Sequence, residues 1–120
     1  MEIYTIQMAQ WRKAKSMGVK LLDTTVKSGD PVFSPTWEMV RDYKAGKIDT
    51  VEYERQYRKL MVSSFTQNPE HWRSIIRGEP VAIACYCKAG KFCHRHLLAG
   101  MFESICQKRN IDFTHHGEIL

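Results

Sequence analysis

Hydrophobic residues fall into short unbroken or alternating runs along the chain, and these runs predict strands. The central run, Val81–Cys85, is wholly apolar and lies between Pro80 and Gly90. Such a short, bounded apolar run is typical of a strand that is buried on both faces. Three other segments are rich in β-forming residues. The further strands are expected at Ile3–Ile6, Val19–Val26 and Ile111–Thr114.

Helical spacing of apolar residues fills the segments between these strands. Ser34 before Pro35 is expected to cap a helix, and Gly18 is typical of a helix end. Asp49 with Glu52 three residues later is typical of a capping box. Strands that alternate with helices imply crossover connections, so we predict an α/β fold with a mostly parallel sheet. The expected helices are Ala9–Met17, Thr36–Lys44, Thr50–Ser63, Pro69–Ile76 and Arg95–Lys108.

Length, composition and charge narrow the class of protein. A chain of 120 residues, 43% of them hydrophobic, suits a single domain over residues 1–120. No apolar run has the length of a membrane span, and the first residues lack the apolar core of a signal peptide. We therefore expect a cytoplasmic protein with no membrane partner and with reduced cysteines. The net charge of +5 favours anionic partners, a small molecule or nucleic acid. The oligomeric state is left open.

Three of the four cysteines and two of the five histidines fall between Cys85 and His96, where the central strand turns towards a helix. A loop that feeds a helix N-terminus presents free backbone N–H groups, which stabilise anions and thiolates. We therefore predict an anion pocket at this junction, with Arg95 contributing to it. The loop residues assigned to the pocket are Cys87, Lys88, Gly90 and Lys91.

The loop has the shape found in cysteine phosphatases and rhodaneses, in which a cysteine follows a strand and an arginine completes the anion cradle. Here Cys93 occupies the position of the phosphatase arginine, and Arg95 comes two residues later. The spacing therefore departs from that of a phosphatase while the elements of an anion pocket are retained.

Parallel sheets bind their ligands beyond the carboxyl ends of the strands. The segment Asp23–Thr25 ends the second predicted strand, so it should lie beside Cys87 and Cys93. His115 and His116 follow the last predicted strand and are candidates for the same edge.

Three other interpretations of the cluster stay open. Cysteine and histidine are ligands that zinc prefers, although the C-x-C-x5-C-H spacing is not that of a common zinc knuckle. Alternatively, Cys85 is a small core residue and the histidines face solvent. A redox switch would join Cys93 to Cys85 or to Cys87. We expect no resident cofactor, with zinc as the alternative, and we expect the tryptophans to pack: Trp11, Trp37 and Trp72.

Cys85, seven residues, then Cys93-His94-Arg95 and an apolar helix resemble the signature of domain-of-unknown-function family 488. Other segments are similar to a short branch of that family, so the likeness covers nearly the whole chain. These segments are Leu22–Gly29, Ser34–Glu38, Tyr43–Ile48 and Tyr53–Tyr57.

The resemblance implies a compact α/β domain with a Rossmann-like, three-layer arrangement. It also implies that Cys85, Cys93, His94 and Arg95 belong to a shared site, and it suggests Asp23 as a further member. Many relatives carry an arginine two residues after this aspartate. Thr25 stands there in this chain, and Lys27 is the candidate to supply the missing charge. The family has no agreed activity.

Together these observations favour a protein that binds or acts on an anionic small molecule, a nucleotide or a nucleic-acid component. Cys93 is expected to be the thiolate with Cys85 as its partner, and His94 the general acid/base. Arg95 would hold a phosphate or carboxylate, and Asp23 would orient His94 or a substrate hydroxyl. The alternative is a non-catalytic module that binds nucleic acid or protein, in which the Cys/His cluster, with or without zinc, stabilises the fold.

Overall fold

The computed structural model describes residues 1 to 120, which form four strands and five helices. None of the helices is both long enough and apolar enough to cross a membrane. A 3-10 turn at Met8–Gln10 precedes the first helix. The strands are β1 (Glu2–Gln7), β2 (Lys20–Asp23), β3 (Val81–Cys85) and β4 (Thr114–Ile119). The helices are α1 (Trp11–Ser16), α2 (Trp37–Lys44), α3 (Thr50–Gln67), α4 (Pro69–Ile76) and α5 (His94–Lys108).

All four strands run parallel, in the order β2-β3-β1-β4, which confirms the predicted α/β class and parallel sheet. The pairing brings Gln7 opposite Cys85 and Asp23 opposite Ala84. The carboxyl ends of β2 and β3 therefore lie side by side. As a result, the residues that follow Asp23 adjoin those that follow Cys85.

The two faces of the sheet are covered unequally. Helices α2 to α5 contribute to the larger core on one face, whereas α1 contributes Ala14 to a smaller cluster on the other. Every residue of β3 is buried, as expected for an apolar strand in the interior of the sheet. The largest side chains of the main core are Phe33, Tyr57, Trp72 and Phe102.

Helix α3 forms where the sequence predicts it and extends four residues further. The Asp49 carboxylate accepts a hydrogen bond from the backbone N–H of Glu52 at 2.8 Å, which confirms the predicted cap. Tyr53, Tyr57 and Met61 recur every four residues, so they share one face of the helix and are buried. This face positions Tyr53 towards the end of the sheet where the cysteines lie.

The prediction that Ser34 caps the second helix is wrong. Thr36 is the cap, and its hydroxyl accepts a hydrogen bond from the backbone N–H of Met39 at 3.1 Å. The Ser34 hydroxyl instead donates to the carbonyl oxygens of Thr25 and Asp30, at 3.0 and 2.7 Å. Ser34 therefore stabilises the part of the loop after β2 that lies between Thr25 and Asp30.

The last strand also lies elsewhere than predicted, at Thr114–Ile119 instead of Ile111–Thr114. β4 is an outermost strand of the sheet, and it pairs only with β1. Such a strand does not require apolar side chains, so the polar sequence of β4 gave no strand signal. His115 pairs with Ile3 near the start of β1. His115 and His116 consequently lie at the amino edge of the sheet and not at the carboxyl edge.

Candidate functional site

A cavity of about 230 Å³ lies beyond the carboxyl ends of β2 and β3. The buried residues Cys85, Cys93 and His94 line it, together with exposed Lys27 and Lys44. Most of the remaining lining is apolar or aromatic. The aromatic side chains of the lining are Trp37, Tyr43, Tyr53, Tyr86 and Phe92.

The predicted strand–loop–helix junction forms this end of the sheet. β3 ends at Cys85, and Cys93 is the extended residue that precedes the first turn of α5. The Cys85 and Cys93 sulfur atoms lie at bonding distance, as in a disulfide, so Cys85 and not Cys87 is the partner of Cys93; the two α-carbons are 7.6 Å apart. The α-carbons of a disulfide usually lie about 4.4–6.8 Å apart, so a relaxed disulfide requires the backbone to close. The fold therefore brings the two sulfurs together across the loop.

His94 places its imidazole between Cys93 and Thr24. Its Nδ1 lies 3.7 Å from the Cys93 sulfur, and its Nε2 lies 3.0 Å from the carbonyl oxygen of Thr24. Burial lowers the pKa of His94 to about 4, although the hydrogen bond to the Thr24 backbone opposes this shift. The positive charges of Arg95 and His96 lower the pKa further. His94 is consequently neutral at pH 7.

Arg95 is completely buried, and its guanidinium is satisfied within the protein. Nη1 donates to the Cys85 sulfur and to the carbonyl oxygen of Cys87, both at 2.9 Å. Nε and Nη2 form a two-pronged ion pair with Glu118, at 3.2 and 2.8 Å. The guanidinium does not line the cavity. It contacts the Cys85 sulfur, the loop carbonyls and Glu118, and it does not lie where it was expected to hold a bound anion.

Glu118 completes this buried arrangement from β4. Burial raises its pKa, but the hydrogen bonds from Arg95 and Thr5 and the nearby positive charges outweigh burial, so the net shift is downwards. Glu118 is therefore a carboxylate that holds Arg95 in place. The sequence pattern did not reveal this residue, because β4 was predicted to end before it.

Asp23 stabilises the loop after β2 and does not contact His94. One carboxylate oxygen accepts hydrogen bonds from the backbone N–H and the hydroxyl of Thr25, at 2.9 and 2.7 Å. The other oxygen accepts from the Ser28 hydroxyl at 3.0 Å. The residue that meets the histidine is the next one along, Thr24. Its hydroxyl oxygen lies 2.9 Å from His94 Nε2.

The loop between β3 and α5 is placed differently from an anion cradle. Cys87 is exposed and lines the cavity, whereas Lys88, Gly90 and Lys91 do not. The carbonyl oxygens of Cys87 and Lys88 face the guanidinium of Arg95, so this part of the loop presents acceptors and not N–H donors. Among the basic residues predicted for the site, only Lys27 lines the cavity.

The aromatic lining is a feature that the sequence analysis missed. Trp37 is 53% exposed, and Trp11 is 38% exposed, so the expectation that all tryptophans pack holds only for Trp72. Tyr43, Tyr53 and Phe92 contact one another with ring centroids 5.4–5.6 Å apart. These residues come from α2, α3 and the loop after β3, so only the packing of three separate segments brings them together.

Cys85, Cys93 and His94 each offer a donor atom, and these atoms lie within 4.8 Å of one another. All three residues are buried. The group is near enough to hold a metal ion, and two sulfurs with one imidazole nitrogen form a donor set that zinc accepts.

A parallel α/β sheet with a buried Cys/His group at its carboxyl edge defines a Rossmann-like α/β protein. The chain matches the family model DUF488-N3a, described as the active DUF488-N3 subclade, over residues 5–105. It therefore belongs to that subclade of DUF488, the family that its Cys…Cys-His-Arg motif resembles. Neither a curated protein nor a solved structure gives a significant match to the chain.

Proposed function

We propose that this protein is a thiol-dependent enzyme that acts on an anionic small molecule, a nucleotide or a nucleic-acid component. The observation that carries the proposal is the pairing of Cys93 with neutral His94 at the cavity, with Nδ1 3.7 Å from the sulfur. A thiol beside a base is the arrangement by which cysteine nucleophiles are activated. The description of the subclade as active agrees with it.

The cavity supplies the features that such a ligand requires. The rings of Tyr43, Tyr53 and Phe92 suit a flat ring system such as a nucleobase. The exposed ammonium groups of Lys27 and Lys44 supply positive charge for a phosphate. In this arrangement the lysines take the anion-binding role expected of Arg95, and Arg95 stabilises the thiols.

The chemical step is a group transfer through Cys93. The thiol proton passes to His94 Nδ1, and the thiolate attacks an electrophilic carbon of the bound molecule. The sulfur–carbon bond forms as the bond to the leaving group breaks, and the imidazolium returns its proton to the leaving group. Water then attacks the same carbon, giving a proton to His94 as the sulfur–carbon bond breaks, and the thiolate recovers that proton.

Site-resolved alkylation tests the proposal. Reduced protein is treated with iodoacetamide alone or with each of a panel of nucleotides and sugar phosphates, and the modified cysteines are identified by peptide mass spectrometry. A ligand is expected to slow the alkylation of Cys93. Turnover of that ligand should be lost in Cys93→Ser and retained in the matched control Cys87→Ser, which changes an exposed cysteine of the same cavity. Full turnover by Cys93→Ser would overturn the mechanism.

A metal centre is the second candidate, because the donor atoms of Cys85, Cys93 and His94 lie within 4.8 Å of one another. Three protein ligands leave a fourth position of zinc open to water or substrate. Elemental analysis of chelator-free protein should then give one zinc per chain, lost in Cys85→Ser and Cys93→Ser and kept in Cys87→Ser. Zinc without any small-molecule turnover would favour the non-catalytic module, whose binding to nucleic acid should weaken steeply with salt.

A further inference from the structure

We propose that Thr24 is a positioning residue that fixes the tautomer of His94, so that Nδ1 is the unprotonated nitrogen that faces Cys93. The effect of this tautomer on catalysis rests on the proposed function, whereas the tautomer itself follows from the hydrogen bonds of His94. Thr24 directly follows β2 and is completely buried. It was expected only to lie near the cysteines, and its contact with the histidine gives it a defined role.

The partners of His94 Nε2 decide which nitrogen carries the proton. Nε2 lies 3.0 Å from the carbonyl oxygen of Thr24, and a carbonyl oxygen can only accept. Nε2 must therefore be the N–H donor of the neutral ring. In the other tautomer, the Nε2 lone pair would face that carbonyl oxygen at the same distance, leaving a buried acceptor against an acceptor.

The Thr24 hydroxyl enforces the same choice. It donates its proton to the carbonyl oxygen of Ala84 at 2.8 Å, so towards His94 it presents only lone pairs. Its oxygen lies 2.9 Å from Nε2, which makes it a second acceptor for the same N–H. Both acceptors of this shared hydrogen bond, the carbonyl oxygen and the hydroxyl oxygen, belong to Thr24. Each of them favours the tautomer with the proton on Nε2.

Thr24 is itself held rigidly by the sheet. Its backbone N–H donates to the carbonyl oxygen of Ala84 at 3.0 Å, alongside the hydroxyl bond to the same oxygen. Ala84 precedes Cys85 in β3, so one carbonyl oxygen links the end of β2 to the strand that carries a site thiol. Thr24, which contacts His94, is thereby fixed to the strand that carries Cys85. Nδ1 is left with the Cys93 sulfur as its hydrogen-bond neighbour.

Nitrogen NMR of the imidazole tests the proposal on the intact protein. The chain is labelled with 15N-histidine, reduced and freed of metal, and the two ring nitrogens of His94 are assigned at pH 7 through their couplings to the ring protons. The expected spectrum has a protonated, pyrrole-type Nε2 and an unprotonated, pyridine-type Nδ1. Thr24→Ser keeps the hydroxyl and should give the same spectrum. Thr24→Val removes one of two acceptors and should shift the tautomer ratio about fivefold, moving the two 15N resonances towards each other.

The matched control is Thr25→Val, which removes the hydroxyl of the neighbouring residue, one that bonds to Asp23 and not to His94. It should leave the His94 resonances unchanged. A wild-type spectrum with the proton on Nδ1 would overturn the proposal without any variant. So would a Thr24→Val spectrum identical to the wild type, or one matched by Thr25→Val. Because the readout is a spectrum and not turnover, a protein that transfers no group would leave this result intact.

Discussion

Both the carboxyl and the amino edge of the sheet carry histidines next to reactive or ionisable groups, but the two sets differ in burial. At the carboxyl edge, Cys85, Cys93 and His94 are all less than a tenth exposed. At the amino edge, His115 and His116 both face solvent. Similar residue types in the sequence thus become a buried, interlinked cluster at one edge and a solvated surface at the other.

The difference lies in what surrounds each polar group. At the carboxyl edge, Arg95 bonds to a sulfur, a carboxylate and loop carbonyls inside the protein. At the amino edge, His116 pairs with Glu2 at 2.9 Å and stacks on Tyr4, where water competes for the same groups. Removing a partner at the carboxyl edge leaves a buried charge without its counterion. Removing a partner at the amino edge exposes the remaining polar group to water.

The largest effect is expected from Arg95→Met. The change leaves Glu118, a side chain only 17% exposed, without its cation, and it removes the donor from the Cys87 and Lys88 carbonyls. Breaking a buried ion pair by removing one partner costs about 3–5 kcal/mol of unfolding free energy. Urea denaturation at pH 7 measures this loss.

Two further variants sharpen that result. Arg95→Met combined with Glu118→Leu removes both charges, and it should recover much of the lost stability. Arg58→Met breaks an exposed pair with Glu54 and should cost less than about 1 kcal/mol. Equal losses for Arg95→Met and Arg58→Met would show that burial at the carboxyl edge has no special energetic weight.

Acid should destabilise the protein through His94. Burial lowers the folded-state pKa to about 4, while the unfolded histidine keeps its ordinary value of 6.5. Between these two values the unfolded state binds more protons, so unfolding free energy is unaffected above pH 6.5 and falls as the pH drops towards 4. With about 1.4 kcal/mol for each pKa unit, the loss reaches at most about 3.5 kcal/mol. Unfolding curves at pH 7, 5.5 and 4 measure it.

His94→Gln should flatten this pH dependence because the variant has no buried imidazole to protonate. The control is His96→Gln: burial lowers the pKa of His96 as well, but His96 is exposed, so its share of the slope should be smaller. A His94→Gln protein with the wild-type slope would assign the acid sensitivity to other groups.

Much of the fold, and the location of the cluster, could be read from the sequence. The unbroken apolar run of β3 and the loop into α5 define the junction, and pairing at carboxyl ends predicts that the residues after Asp23 meet Cys93. β4 escaped because an edge strand needs backbone pairing and not apolar side chains. Because β4 was misplaced, Glu118 had no predicted position. Arg95 was therefore assigned to a bound anion, although its partner is Glu118 within the protein.

The contacts of single atoms were beyond sequence reasoning for a related reason. Whether Asp23 or Thr24 faces His94 depends on where β2 ends and on how the next loop returns. Asp23 was chosen because a carboxylate commonly orients a histidine, but its oxygens are taken by Thr25 and Ser28. Likewise, no local pattern indicates that Phe92 meets Tyr43 and Tyr53, since these residues come from separate segments.

Gly29→Ala tests how tightly the loop after β2 supports the carboxyl edge. An added Cβ would lie 2.5 Å from the carbonyl oxygen of Thr25 and 2.6 Å from that of Asp23, and backbone atoms cannot step aside like a flexible side chain. Overpacking of this kind costs about 1–3 kcal/mol. The His94 15N resonances should also move, because a displaced backbone at Asp23 and Thr25 changes the position of Thr24 between them. Gly100→Ala, where an added Cβ meets nothing within 4 Å, is the matched control. Alanine is favoured over glycine inside a helix such as α5, so this variant should keep or slightly raise the stability and leave the His94 resonances in place.

His116→Ala should have the smallest effect and completes the contrast. The pair with Glu2 and the stacking on Tyr4 both lie at the solvated amino edge, where surface substitutions usually change stability by less than about 0.5 kcal/mol. The variant should also keep the wild-type alkylation rate of Cys93, since His116 lies at the opposite end of the sheet. A loss of stability comparable to that of Gly29→Ala, or a changed Cys93 rate, would show that the two edges are coupled. The two edges would then belong to one connected polar network and not to a buried site and a separate surface.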